Sequence, residues 1–496
     1  MGESPSAFPH PLYARYVLQP AYQDAAAYLY GPMLAANRAH VVMLARQAII
    51  SRENGRALLA ALEQVEQAGL AALAYQPGVE DLFFRLEGRL IELAGPEYGG
   101  NLQLARSRND LGQALTRLAL RPQALTLERQ VMVLRRRILT LAHRHLETVM
   151  PGYTHTQPAQ PTTLAHYLAG VLSFLERDTV RLWQAYQTNN QSPLGAAAFT
   201  GSGFPIDRQL SADLLGFDGV MLSSHDSIGA SDHLTDLAAA LTGLGINLSR
   251  LSKDLLFWAT RESGAIRIAD SFIQISSIMP QKRNPVVLEH LRARLSRLLG
   301  QAQTIVIQCH NIPYGDTQDI EDEILPAAFG AIATAGEILE LYQAVFETLQ
   351  VNASHLQAQA GAGFSTVTEL ADVLVREAKL SFRAAHQLVS SLVQHLLARD
   401  LTSADITPAL LDHFSQTIRG QPLKLPAETI RHALDPVAFV QARTTPGGAA
   451  PAATREVLER LIDQLVAGEM WLQAEEARLA RAAEQLKQQM KELLEG

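Results

Sequence analysis

The sequence predicts an all-α protein whose centre is a bundle of long helices. Long stretches are rich in Ala, Leu, Arg, Glu and Gln and carry apolar residues at the three- and four-residue spacing of amphipathic helices, while alternating β-branched residues are scarce. With 496 residues, 47% of them hydrophobic, the chain can bury a large core. Helices so long and so apolar favour a bundle that buries more than one face by forming an oligomer.

Several segments carry the helical pattern clearly. Between Leu234 and Leu255 a leucine recurs every three or four residues without an internal proline, which predicts one helix over residues 232–260. Pro122 predicts a kink in the first long helix. The other predicted long helices span residues 113–147, 163–189, 286–307 and 326–350.

Breaks rich in glycine, serine and proline divide the chain into parts. They lie at residues 99–100, 192–205, 264–285 and 361–364, and a further loop at 445–451 precedes the last helices. We therefore predict three helical domains. These are an N-terminal domain over residues 1–104, a central long-helix bundle over 105–360 and a C-terminal domain over 361–496.

Composition argues against several classes of protein. The net charge is -8 and no run of like charges occurs, so we expect no nucleic-acid partner. No stretch of about 18 apolar residues is present, so we expect no membrane span. Cys309 is the only cysteine, which rules out an intrachain disulfide, and the first thirty residues lack the pattern of a secretory signal. These observations predict a cytoplasmic protein.

The loop at residues 276–285 concentrates groups that could stabilise a negative charge. Two hydroxyls, Ser276 and Ser277, are followed within a few residues by the cation Lys282 and the amide of Asn284. A helix can begin directly after this loop, and a helix N-terminus also favours anions. The same residues are compatible with a surface loop that only caps the following helix.

Three segments resemble known lyases. The loop resembles the Gly-Ser-Ser-x-Met-Pro-x-Lys-x-Asn-Pro signature of the fumarase/aspartase superfamily, with Ile275 where that signature begins with glycine. Isoleucine lacks the backbone freedom of glycine, which puts the motion of the loop in question more than its chemistry. Residues 105–110 resemble the Gly-Arg-Ser-Arg-Asn-Asp segment of argininosuccinate lyases, and residues 151–157 resemble their Pro-Gly-Tyr-Thr-His-Leu-Gln segment. The chain thus resembles the argininosuccinate lyase family along nearly its whole length.

The resemblance implies a fold, an assembly and a reaction. The fold is the three-domain fumarase/aspartase type, assembled as a homotetramer whose active sites are shared between subunits. The expected reaction is that of a carbon–nitrogen lyase, which splits an N-substituted aspartate into fumarate and an amine by base-catalysed elimination. The implied partner is a small dicarboxylate substrate, and the chemistry requires no cofactor and no metal.

The resemblance also assigns roles to individual residues. Ser276 is the expected base, with Ser277 as the alternative, and Lys282 with Asn284 stabilises the doubly charged carboxylate of the intermediate. His155 is expected near the reacting atoms, with its role as acid, relay or orienting group left open. The residues expected to bind substrate are Arg108, Asn109, Thr154, Asn284, Ser277, Gln157, Asn37, Asp81, Tyr314 and Gln318.

Departures from the family pattern predict that the amine is not arginine. Asn37 stands where the family has a serine, and Phe83 stands where it has a histidine. After Tyr314 the family has a glutamine and then a lysine that holds the arginine carboxylate. Here Gln318 is displaced by one residue and the lysine position falls on Asp322 or Glu323, which would repel a carboxylate. Acids near this position favour a cationic amine such as a diamine, which would resemble the chemistry of the related ethylenediamine-disuccinate (EDDS) lyase. These acids are Asp81, Asp319, Glu321 and Asp322.

Alternatives to this function remain open. The chain could be an argininosuccinate lyase, with the acids acting as solvated helix caps, or an inactive structural homologue of the crystallin kind. Retention of Ser276, Lys282, Asn284, Arg108 and His155 together favours an active enzyme. The consecutive residues 224–226, Ser-His-Asp, cannot form the geometry of a hydrolase triad, because neighbours in sequence do not line up as nucleophile, base and orienting acid.

Overall fold

The structure, a computed structural model, describes residues 8–495 apart from the side chain of Glu321. Nearly all regular structure within this range is helical, which confirms the predicted all-α class. The N-terminal part contains the helices α1 (Pro11–Tyr13), α2 (Gln19–Tyr28), α3 (Tyr30–Arg46), α4 (Arg52–Ala68), α5 (Leu82–Ala94) and α6 (Pro96–Gly99).

The central part contains the five predicted long helices, with bounds that differ by a few residues. The first begins at Arg108 rather than at residue 113, because Ser107 and Asp110 form a capping box there, and it continues through Pro122. The central helices are α7 (Arg108–Arg144), α8 (Leu164–Asn189), α9 (Arg208–Leu215), α10 (Ser224–Gly229), α11 (Asp232–Trp258), α12 (Val286–Cys309) and α13 (Leu325–Thr348).

The C-terminal part ends in one helix of 45 residues, where the sequence suggested several. The helices are α14 (Ala353–Gly361), α15 (Val367–Arg376), α16 (Phe382–Leu397), α17 (Pro408–Arg419), α18 (Ala427–Leu434), α19 (Pro436–Gln441) and α20 (Pro451–Glu495). Short π-helical turns span Ala14–Leu18 and Asp319–Glu323, and 3₁₀ turns span Leu70–Leu73, Gly100–Gln103, Asp270–Phe272 and Ser403–Asp405.

Within residues 8–495, eight short strands form four two-stranded pairs. The antiparallel pairs are β1 (Val149–Thr154) with β2 (Gln157–Thr163), β5 (Ile266–Arg267) with β8 (Gln350–Val351), and β6 (Gln274–Ile275) with β7 (Arg283–Asn284). The strands β3 (Gln191–Ser192) and β4 (Gly219–Val220) are parallel. The sequence analysis predicted none of these strands, and two of the pairs frame the predicted site segments.

The buried apolar residues of the described part of the chain form one large core and two smaller ones, the smallest of which includes Ala360 and Phe439. The large core runs from the N-terminal helices through the bundle and includes α20 residues such as Leu458 and Leu465. The second core lies within α15 to α18, from Leu370 to Ala433. The predicted domain boundaries remain a prediction, and α20 packs with the bundle in spite of its place in the sequence. None of the helices within residues 8–495 is long and apolar enough to span a membrane.

The long helices give the bundle two distinct ends. At about 1.5 Å per residue, α7 is roughly 55 Å long and α11 roughly 40 Å long. One end, here called the Arg108 end, carries the start of α7 and the segments 191–231 and 310–324. Contacts of Asp110 with Gly195 and Ala197, and of Gln113 with Ile228, join these segments to α7. The opposite end, here called the Ser276 end, carries the β1–β2 hairpin and residues 259–285.

Candidate active site

At the Arg108 end, a capping box places two predicted site residues at the first turn of α7. The Asn109 backbone N–H donates to Ser107 Oγ at 3.3 Å, and Asp110 accepts the Ser107 backbone N–H at 3.0 Å. The Asn109 side chain donates to the carbonyl oxygen of Ala198 at 3.4 Å. Arg108 and Asn109 therefore lie at a helix N-terminus, where the helix dipole favours an anionic ligand.

Arg108 pairs with acidic residues of the N-terminal part. Its Nη1 lies 2.8 Å from Asp81 Oδ2 and 3.4 Å from Glu80 Oε1, and its guanidinium carbon lies 4.7 Å from the centre of the Phe84 ring. Burial lowers the pKa of Arg108, but the hydrogen bond and charge of Asp81 outweigh it and the net shift is upward. The guanidinium is thus fully cationic, and about 40% of its side chain is exposed.

Asp322 lies in the π-helical turn before α13 and faces the same acidic group. Its partial burial, followed by the charges of Asp81 and Glu323, raises its pKa to about 6, although Arg108 opposes the shift. Glu80 adds a further negative charge. The side chain of Glu321 lies outside the described residues. The structure therefore brings the predicted acids Asp81 and Asp322 together beside Arg108.

The Tyr314 ring packs against α10 at the same end of the bundle. Its hydroxyl donates to Asp226 Oδ1, and its carbonyl oxygen accepts a hydrogen bond from His225 Nε2 at 3.0 Å. The hydrogen bond to Asp226, with some burial, raises the pKa of Tyr314. Gln318 directly precedes the π-helical turn that holds Asp322.

Asn37 is the predicted site residue that lies deepest in the protein. It is fully buried within α3, and its Oδ1 accepts a hydrogen bond from Arg106 Nη2 at 2.7 Å. Arg106 is itself nearly buried. Asn37 therefore holds Arg106, in the segment before Arg108, and does not face solvent. A contact between Asn37 and substrate would require the hydrogen bond between Asn37 and Arg106 to break.

At the Ser276 end, the β1–β2 hairpin presents the second predicted segment. Thr154 pairs with Gln157, which leaves His155 and Thr156 as a two-residue turn, and all four side chains are exposed. His155 has φ 52° and Thr156 has φ 63°. Positive φ at both turn residues is typical of tight hairpins, but it disfavours a β-branched residue such as Thr156. The turn holds the His155 side chain at the tip of the hairpin.

The third segment, residues 276–283, is closed by the β6–β7 pair. Ser276 Oγ accepts the backbone N–H groups of Met279 at 3.1 Å and Ile278 at 3.4 Å. Lys282 is exposed, and Asn284 pairs with Gln274 at the base of the loop. Ile275 lies in β6, where extended backbone accommodates a β-branched residue. Its effect on loop motion stays a prediction.

A cleft of about 1380 Å³ separates the hairpin from this loop. Thr156 lines it from the hairpin, Lys282 and Asn284 line it from the loop, and Tyr153 and Phe257 form part of its apolar wall. The Tyr153 and Phe257 rings meet edge to face at 5.2 Å. More basic than acidic side chains line the cleft. The basic residues are Lys253, Arg261, Arg267, Lys282, Arg283 and Arg292, and the acidic residues are Asp254, Glu262 and Glu289. Such a cleft favours an anionic ligand.

The predicted residues thus form two groups that one chain cannot unite. Arg108, Asn109, Asp81, Tyr314 and Gln318 lie at the Arg108 end, with Asn37 buried behind them. The second group lies at the Ser276 end, at a distance of roughly the 40 Å length of α11. Its members are Thr154, His155, Gln157, Ser276, Ser277, Lys282 and Asn284. A site that uses both groups needs at least two copies of the chain.

Sequence reasoning missed several residues that shape the two groups. Glu80 and Phe84 contact Arg108, and His225 with Asp226 contacts Tyr314. The sequence analysis considered His225 and Asp226 only as members of an improbable hydrolase triad. It could not indicate their contact with Tyr314, because Tyr314 and Asp226 are 88 residues apart in the sequence. Glu80 and Phe84 are close to the predicted Asp81 in the sequence, and this closeness was the one signal that could have indicated them as site residues.

Comparisons with known proteins identify the family of this chain. Residues 28–300 match the family model described as lyase, and residues 364–441 match the model of the argininosuccinate lyase C-terminal region. The argininosuccinate lyase of Methanothermobacter thermautotrophicus is 38% identical, over 86% of this chain and 91% of that protein. Argininosuccinate lyase 2 of Agrobacterium fabrum is 37% identical, over 91% and 90%.

Solved structures show the same fold. The crystal structure of EDDS lyase in complex with formate superposes with a TM-score of 0.86 and 29% identity over 96% of both chains, and a variant of that enzyme with bound fumarate gives the same values. These matches confirm the fumarase/aspartase fold and define a carbon–nitrogen lyase that releases fumarate. The chain belongs to the argininosuccinate lyase family.

Proposed function

We propose that this lyase cleaves an N-substituted aspartate whose amine half is cationic and is not arginine, at sites that two or more copies of the chain build together. The observation that carries the shared site is the separation of the two groups of residues by the length of α11. Antiparallel packing of copies would place the Arg108 end of one against the Ser276 end of another. The basic cleft at the Ser276 end and the acids at the Arg108 end are complementary in charge.

In the proposed reaction, Ser276 removes the proton from the carbon next to one carboxylate. Two backbone N–H groups already point at Ser276 Oγ, and N–H donors stabilise the alkoxide form that a serine base requires. Lys282 and Asn284 stabilise the second negative charge that develops on the carboxylate. Ser277 is the alternative base, since it is exposed in the same loop.

Arg108 and Asn109 hold the fumarate half in this proposal. A helix N-terminus, a guanidinium and an amide donor together suit a carboxylate. His155 comes from the hairpin of another copy and lies near the leaving nitrogen, with Thr154 and Gln157 beside it. Its place at an exposed turn suits a group that must reach across a subunit boundary.

The choice of amine follows from the charges around Arg108. Glu80 and Asp81 contact Arg108, and Asp322 lies within range of the charges of Asp81, Glu323 and Glu80, so several carboxylates are grouped beside this guanidinium. Burial is the largest cause of the raised pKa of Asp322, and the charges of Asp81, Glu323 and Glu80 raise it further. These carboxylates would attract a second ammonium group to this end of the bundle, whereas they would repel the carboxylate of arginine. The solved structures of EDDS lyase, at 29% identity, support a diamine-type substrate.

Argininosuccinate cleavage is the second candidate, favoured by the names of relatives at 34–38% identity. Steady-state assays that follow fumarate absorbance decide between the two. We expect N-(2-aminoethyl)aspartate to release fumarate and argininosuccinate to do so poorly. Ordinary lyase efficiency with argininosuccinate, and none with the diamine derivative, would contradict the proposal.

A further inference from the structure

We propose that Phe199, His225 and Tyr314 form an aromatic wall that binds the distal ammonium group of the amine half. This inference rests on the proposed function and specifies which side chains recognise the amine. The Phe199 and His225 rings meet edge to face at 5.6 Å, and the His225 and Tyr314 rings stack at 5.5 Å with an angle of 28°. The three rings therefore form one continuous surface.

The wall is held in place although it faces solvent. His225 Nε2 lies 3.0 Å from the Tyr314 carbonyl oxygen, and because a carbonyl only accepts, Nε2 carries the proton. The Tyr314 hydroxyl is fixed on Asp226. A side chain at Gly229 would come within about 3.0 Å of the Tyr314 ring, so glycine at this position lets the ring lie against α10.

Exposure and location point to a ligand. Phe199 is 49% exposed and Tyr314 is 60% exposed. Phe199 directly follows Ala198, whose carbonyl accepts a hydrogen bond from the predicted fumarate-holding Asn109. A ligand whose carboxylates lie at Arg108 and Asn109 would therefore extend its amine half along the rings.

The chemistry of the wall selects for an organic cation. The faces of aromatic rings attract ammonium groups, and the Asp226 carboxylate at the edge of the wall adds a negative charge. A carboxylate-bearing amine half would meet the same acid and be disfavoured. The hydrocarbon chain between the two nitrogens of a diamine gains apolar contact with Phe199.

The test compares N-(4-aminobutyl)aspartate with N-pentylaspartate, which has the same length but a neutral end. We expect Phe199→Leu to lower the kcat/KM preference for the cationic substrate by about tenfold, and Phe199→Tyr to retain it. Phe204→Leu is the matched control, since Phe204 is an exposed phenylalanine of the same loop whose ring contacts no other ring within residues 8–495. If Phe199→Leu lowers kcat/KM equally for both substrates, the proposal that the aromatic wall binds the ammonium group would be contradicted.

Calorimetric binding of 1,4-diaminobutane separates this inference from the proposed function. The wall predicts that wild type binds the diamine and that Phe199→Leu and His225→Leu bind it about tenfold more weakly, while Phe204→Leu binds it normally. Unchanged binding in both wall variants would refute the inference, whatever the turnover. If the wall variants weaken diamine binding but neither substrate releases fumarate, the aromatic wall would be supported and the proposed reaction would be refuted.

Discussion

Ser276 is the residue on which the proposed elimination depends. We expect Ser276→Ala and Lys282→Ala each to lower turnover by at least about a hundredfold, because they remove the base and a charge stabiliser, while the folded assembly is kept. Fumarate release measures turnover, and sedimentation measures whether the folded assembly is kept. Ser277→Ala separates the two candidate bases, because it should keep clearly more activity than Ser276→Ala if Ser276 is the base. Turnover near wild type in Ser276→Ala, with loss in Ser277→Ala, would transfer the role of base to Ser277.

Asp322 predicts a pH dependence of substrate binding. Its pKa of about 6 means that the carboxylate is charged above pH 6 and protonated below it. The KM for a cationic substrate should therefore rise as the pH falls through about 6, and Asp322→Asn should remove this dependence and raise KM at pH 7.5. A KM that is unchanged by Asp322→Asn across this range would contradict the assignment.

The same raised pKa affects stability with a definite sign. Between the ordinary pKa of an aspartate and about 6, the folded state binds more protons than the unfolded state, so stability falls as the pH rises through that window. Asp322→Asn should accordingly raise the free energy of unfolding at pH 7.5, by about 1 kcal/mol after allowance for solvent screening. Thermal unfolding at pH 5 and pH 7.5 measures the difference.

Single residues were predictable from the sequence only where they stand in a recognisable segment. Arg108, His155 and Ser276 belong to such segments, and the structure gives each a defined place. The contacts of Tyr314 with His225 and Asp226 join positions 88 and 89 residues apart, and no periodicity in the sequence reports such a contact. Asn37 was expected to contact substrate, and only the packing of the structure shows that it is buried.

At the scale of elements, the capping box of α7 links stability to the site. Ser107→Ala removes the side-chain cap and should lower the free energy of unfolding by about 1 kcal/mol. It should also lower kcat/KM, because the turn that carries Arg108 and Asn109 loses its fixed start. Ser51→Ala removes the equivalent cap of α4, away from the predicted site residues, and should lower stability alone. Equal activity losses in the two variants would contradict a positioning role.

Helices were predictable and strands were not, for physical reasons. The leucine ladders of the bundle encode helices strongly, because each buried face repeats over many turns. The β1–β2 hairpin contains Pro151, Pro158 and Pro161, and proline argues against a strand because it cannot donate to the ladder. A register shift between Pro151 and Tyr153 accommodates these residues. The remaining pairs have two-residue strands, too short to show alternation.

At the scale of the whole molecule, the fold gives the physical reason for the proposed sharing of the site. The bundle places the residues proposed to hold fumarate and the proposed base at opposite ends, and no rearrangement of short loops spans roughly 40 Å. The length of the helices, which the sequence predicts, therefore supports an assembly of several copies. Charge complementarity between the two ends supplies a reason for copies to pack antiparallel.

Subunit mixing tests the shared site most directly. Arg108→Ala and Ser276→Ala are each expected to be inactive, because each removes one end of every site. When the two variants are dissociated and reassembled together, a site built from the Arg108 end of one copy and the Ser276 end of another should be intact in about a quarter of cases under random assembly. We predict recovery of fumarate release toward that fraction. No recovery, after native mass spectrometry has verified mixed assemblies, would contradict the shared site.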